Sequence, residues 1–88
     1  MSDIRVEKPS QDQISDMQTE PTWEKGESTF DWEYDVREVC YLTDGDVTVH
    51  TPDGEQVRFG AGDLVTFPQG LQCTWEIHRP VRKHYRLG

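Results

Sequence analysis

Three side chains with chemistry of their own fall on what the sequence marks as the inner faces of strands. Residues 30–45 read FDWEYDVREVCYLTDG, with even positions Phe30, Trp32, Tyr34, Val36, Glu38, Cys40 and Leu42 set against odd positions beginning Asp31, Glu33, Asp35 and Arg37. Such alternation marks a half-buried strand, or two strands joined without loss of parity. Glu38 is then a carboxylate on an otherwise apolar face, and burying it unpaired would cost several kcal/mol. It needs a partner or a use, and a carboxyl in such surroundings is a candidate general acid or base. In residues 80–87 the odd positions Val81, Lys83, Tyr85 and Leu87 look inward and Arg82, His84 and Arg86 outward, which offers Lys83 as the counter-charge for Glu38. In residues 71–78 the core face is Leu71, Cys73, Trp75 and Ile77. Cys73 is thus inert packing, or a nucleophile if a cation such as Lys83 stabilises its thiolate. Cys40 reads as a small buried hydrophobe.

The elements that must position these groups are short strands. From Gly45 onward turn signals recur every six to ten residues, at Asp44-Gly45, Pro52-Asp53-Gly54, Gly60-Ala61-Gly62 and Pro68-Gln69-Gly70. They separate strands predicted over 46–51, 55–59, 63–67, 71–78 and 80–87, the pattern of an all-β sandwich or barrel. Upstream, residues 3–7 read as a short alternating strand ended by Pro9. Ser10 with Gln13 forms a capping-box pattern that predicts a helical turn over 10–17, with Ile14 and Met17 on its packed face. Residues 20–27, around Trp23, suggest a short strand ending in a turn. The expected organisation is one domain, with the strand and helix of residues 1–21 packed on a barrel of residues 22–88.

Composition excludes several classes of function. The net charge is −8, with nine Lys and Arg against 17 Asp and Glu, which argues against nucleic acid. The one basic cluster, Arg79, Arg82, Lys83, His84 and Arg86, has strand spacing and reads as a solvated edge with acidic partners. No apolar run approaches the roughly twenty residues of a membrane span, so no membrane partner is expected. The first ten residues have no apolar core of a signal peptide, which predicts a cytoplasmic protein. Two cysteines are too few for a disulfide framework and are expected as thiols.

The spacing from Glu38 to Gly45 resembles the end of a first cupin motif, and Gly62-x5-Pro68-x-Gly70-x2-Cys73 the start of a second. The whole chain is similar to the short stand-alone cupins of the ureidoglycine aminohydrolase-like family, notably through FDWEYD, GDLVTFPQGLQCTWE and PVRKHY. The resemblance implies a single-domain jelly-roll barrel, a double-stranded β-helix with a short N-terminal helical turn. Metal-binding cupins carry His-x-His, then Glu, then a further His. Here those His positions are Trp32, Tyr34 and Cys73, with Glu38 retained and Ile77 where an Asn often stands. His50, His78 and His84 fall on outward parity and read as surface residues. No cofactor is expected. If a divalent metal binds, its protein donors would be Glu38, Cys73 and Tyr34, short of the usual matched set.

Projected inward, the motif positions imply a cup lined by Trp32, Tyr34, Glu38, Cys73, Trp75 and Tyr85, with Cys40 and Lys83 beside it. An aromatic cup with a few convergent polar groups is the usual form of a small-molecule site. The expected function is binding of a small polar metabolite, an amine, amide or ureide by family analogy, with Glu38, Cys73 and Lys83 as candidate catalytic groups. One alternative is a metal-dependent hydrolase of aminohydrolase type using Glu38 and Cys73. Another is a non-catalytic homodimeric interaction module, the aromatic residues then being core filling.

Overall fold

A computed structural model describes residues 3–88 of the chain. In order, the elements are β1 (Arg5–Glu7), α1 (Gln11–Met17), β2 (Thr22–Lys25), β3 (Ser28–Glu33), β4 (Glu38–His50), β5 (Gln56–Gly60), β6 (Leu64–Phe67) and β7 (Gln72–Leu87). The seven strands form one antiparallel sheet with β4 and β7 as its spine, paired from Glu38↔Leu87 to His50↔Thr74. At one end of the spine β6 lies beside β4 and carries β1, while β2 lies beside β7. At the other end β5 flanks β4 and β3 flanks β7. The result is the all-β roll that the strand spacing predicts.

Two expected breaks are bends inside continuous strands. Asp44-Gly45 reads as a turn, yet β4 runs through it, and Pro80 does not divide β7. The β4–β7 register shifts between Leu42 and Val47, as β-bulges do, and these shifts bend both strands together. Pro80 sits inside this irregular stretch, between the pairs Asp46↔Arg79 and Asp44↔Arg82, where its missing N–H interrupts no regular ladder. Gly45 is required by the bend. It has φ 122°, and a Cβ there would lie 2.7 Å from Val81 Cγ2 and 2.9 Å from Val81 Cα. The other three turns form as expected.

The helix is capped as its sequence indicates: Gln13 N–H donates to Ser10 Oγ at 3.2 Å, and Ser10 N–H to Gln13 Oε1 at 2.8 Å. Met17 is buried and Ile14 half-buried. The parity reading of residues 30–42 holds for Tyr34, Glu38, Cys40 and Leu42, all buried. Trp32 keeps that face but is 51% exposed near the end of β3, and the reading fails for Val36, which is 42% exposed. The physical reason is that residues 34–37 are not strand: they connect β3 to β4, and Val36 on that connection has no sheet to face. Glu38 begins a new strand rather than continuing the old one. The core proper is a cluster in which Tyr34 stacks on Phe67 at 4.6 Å while Phe59 meets Phe67 and Trp75 edge-on.

Candidate functional site

A cavity of about 230 Å³ opens between β2, β3, the start of β4 and both ends of β7. Its wall is aromatic because three strands contribute rings to it: Trp23 from β2, Phe30 and Trp32 from β3, Trp75 and Tyr85 from β7. Phe30 stacks on Trp75 with centroids 6.0 Å apart, and Trp23 meets Trp75 edge-on at 6.1 Å. Tyr34 completes the wall, its hydroxyl accepting a hydrogen bond from Trp75 Nε1 at 3.1 Å. Burial first, and then the nearby Cys40 and Glu38, push the Tyr34 phenol pKa well up, so it stays protonated. Trp32 and Leu87, both more than half exposed, lie at the mouth.

The polar groups of the cavity are Glu38 and Lys83, at 7% and 6% exposure. Lys83 Nζ donates to Glu38 Oε2 at 2.8 Å, which confirms the counter-charge that parity suggested. The ammonium also lies 4.8 and 4.9 Å from the ring centroids of Trp23 and Trp75, a desolvated cation–π arrangement. Burial works against that charge, but the neighbouring Cys40 and Glu38 more than offset it, and the Lys83 pKa is raised. Cys40 is the third member, its thiol donating to Glu38 Oε2 at 2.9 Å and its sulfur accepting from Lys83 Nζ at 3.4 Å. Complete burial is the main reason its pKa is pushed up, so it acts as a hydrogen-bond donor and not a thiolate.

Both donors converge on Oε2. Glu38 Oε1 has no protein partner among the described residues, yet no buried side-chain oxygen there is left unsatisfied, so Oε1 is turned to open space. At Glu38 that space is the cavity it lines. Two bonds on one oxygen and none on the other hold the carboxylate as a fixed acceptor. Lys83 uses one N–H on Glu38 and one on Cys40, leaving a third beside the tryptophan faces.

Cys73 is not in this group. It is buried but lines a separate, more open cleft with Asp31, Trp32, Glu33 and His50. Burial, with Asp31 as the second cause, pushes its pKa up to about 11, and its electrostatic partner is that carboxylate and not Lys83. The cation that would have activated Cys73 lies on Cys40 instead, because Cys40, paired with Tyr85, and Lys83, paired with Leu42, are diagonal neighbours on the β4–β7 ladder. Trp23 and Phe30 line the cavity as well, beyond the residues that the motif positions project inward. Trp23 sits in a short segment with no usable alternation, and only its pairing opposite Lys83 turns the indole inward.

The donor set does not suit a resident metal. Tyr34 and Glu38 line one cavity while Cys73 lines another cleft, the Tyr34 hydroxyl is bonded to Trp75 Nε1, and one oxygen of Glu38 is taken by two donors. Among the described residues no group of three or more His, Cys, Asp or Glu is disposed to hold a metal ion. The three histidines are half-buried on the outer face with protein partners: His50 with Glu76 at 2.9 Å, His78 with Thr48 at 2.8 Å, His84 with the Glu20 carbonyl at 2.9 Å. Of the basic cluster, Arg82 pairs with Glu24 and Arg86 with Asp16 and Glu20, leaving Lys83 as the inward member.

The chain is similar to a DUF861 family protein of Thermotoga maritima, at 45% identity over 98% of this chain and 100% of that one, with a TM-score of 0.94. It is similar to the EutQ protein of Clostridium difficile at 29% identity, over 75% of this chain and 52% of that one, TM-score 0.68. A DUF861 family protein of unknown function from Pseudomonas syringae matches at 25% identity, over 76% and 29% of the two chains, TM-score 0.69. None of the curated proteins matches. The model of the EutQ-like cupin domain matches residues 13–85, from the helix to Tyr85 at the cavity wall. That span holds both motifs and nearly every side chain of the cavity, and the chain belongs to the EutQ-like cupin family.

Proposed function

We propose that this cupin binds a small, neutral, planar metabolite through an amide or ureide edge. The observation that carries the reading is the presence, in an aromatic-walled cavity, of one acceptor without a protein donor, Glu38 Oε1, beside the Lys83 ammonium, whose third N–H has no oxygen or sulfur acceptor and lies against the indole faces. An amide or urea presents the complementary N–H and C=O side by side, in a plane that aromatic walls accept. A cationic amine suits the site less, because the indole faces that would hold it already hold the Lys83 ammonium. A carboxylate would meet Glu38 at close range. The resemblance to ureidoglycine aminohydrolase-like cupins points to the same ligand class.

The test is quenching of tryptophan fluorescence by a matched set in which one aromatic or aliphatic body carries in turn an amide, a urea, a methyl ester and a primary amine. Saturable quenching is expected from the amide and the urea. The ester, which cannot donate to Glu38, should bind about 10- to 100-fold more weakly, the loss of one hydrogen bond to a charged group. Equal affinity for ester and amide, or tightest binding of the amine, would overturn the reading.

A further inference from the structure

We infer that the Glu38–Lys83 pair also catalyses proton transfer at the carbon next to the carbonyl of a bound cyclic ureide, without a metal. The inference rests on the ligand class proposed above and adds a reaction to it. Three features of the cavity floor carry it. Glu38 Oε1 is an unpartnered carboxylate oxygen on a side chain more than nine-tenths buried, directed into a cavity with apolar walls. Its other oxygen is fixed by Lys83 and Cys40, so the group cannot turn away from the cavity without breaking two bonds. Lys83 Nζ, 2.8 Å from Oε2, lines the same cavity and is the cation nearest to a carbonyl oxygen whose adjoining carbon faces Oε1.

A base and an adjacent electrophile in an apolar-walled cavity are what enolisation requires. Glu38 Oε1 takes the proton from the carbon. The electron pair of the broken C–H bond becomes the C=C bond of the enolate, and the carbonyl π pair moves to oxygen, where Lys83 N–H stabilises the charge. Glu38, now a carboxylic acid, exchanges its proton with solvent and delivers a solvent proton to the same face of the same carbon. The net reaction is exchange of that proton with retention of configuration, with no oxidant, reductant or leaving group. Cys40 is a positioning residue: its thiol fixes Oε2 and does not touch the substrate.

The test uses 5-methylhydantoin, a cyclic ureide with one carbon-bound proton next to a carbonyl, with the full chain in D2O. Loss of the ring C–H signal is followed by proton NMR, and binding is followed in the same sample by line broadening. The protein should accelerate exchange by about 100-fold or more over buffer, the usual contribution of a positioned base. 5,5-Dimethylhydantoin, which has no such proton, should abolish the acceleration by competition without altering the fold. Glu38→Gln should lose the acceleration and, with the acceptor facing the cavity lost, should broaden the hydantoin lines less than the parent does. Binding without accelerated exchange overturns the catalytic inference and leaves the binding reading standing. No binding of either hydantoin overturns both. Exchange that survives competition assigns the activity elsewhere and also overturns it.

Discussion

The Glu38–Lys83 ion pair is held where neither partner can be spared, yet the fold has little energetic need of it. Taking two charges out of water costs several kcal/mol each, and their attraction roughly repays that cost. Lys83→Met alone leaves the Glu38 carboxylate buried without its counter-charge and should destabilise the protein by about 3–5 kcal/mol in urea unfolding. Glu38→Leu combined with Lys83→Met removes both charges and should restore stability to within about 1–2 kcal/mol of the parent or above it, while abolishing ligand binding. A double variant as unstable as the single one would show that the pair is structural. Cys40, which parity assigns to plain packing, is a member of this group by its hydrogen bonds alone. Its sequence position carries no signal of that role.

At the level of elements, the cavity depends on the bend shared by β4 and β7. The bend lets one continuous strand carry Trp75 and Lys83, eight residues apart in sequence, to the same cavity wall. Gly45→Ala puts a Cβ against the backbone of Val81 at a positive φ and should cost about 2–4 kcal/mol. Gly54→Ala, with φ 88° but open space around it, should cost only about 1–2 kcal/mol. Comparing their thermal unfolding separates the steric demand of the bend from the conformational demand that both share. Similar losses at the two sites would mean that the bend yields easily.

For the molecule as a whole, alkaline pH is the sensitive direction. Cys40, Cys73 and Tyr34 are all raised by burial, and Lys83 is raised by its partners despite burial. A group whose pKa is higher in the folded than in the unfolded chain stabilises the fold fully below the unfolded value, and that contribution is lost as pH rises through the folded one. The urea midpoint should therefore hold up to about pH 9, the ordinary thiol value, and fall steadily above it, through the folded Cys73 value of about 11. A midpoint unchanged between pH 8 and 11 would contradict the protonation states assigned to the cavity. Among the described residues no helix is long and apolar enough to cross a membrane.

Period-two alternation and regular turn chemistry made the all-β roll, the capped helix and the inward facing of Glu38 and Lys83 legible in the sequence, because all of these are local or follow from parity. The Asp44-Gly45 and Pro80 signals were legible too, but as breaks; only pairing of β4 with β7 along their whole length turned both into bends. Parity fixes a face and not a distance. It could place Cys40, Cys73 and Lys83 inward without deciding which thiol would meet the lysine. The cross-strand register of the bulged spine decided that in favour of Cys40, and the pairing of β2 with β7 brought Trp23 over the same ammonium. Those are contacts between residues about 40 and 60 positions apart, and they exist only once the sheet has closed.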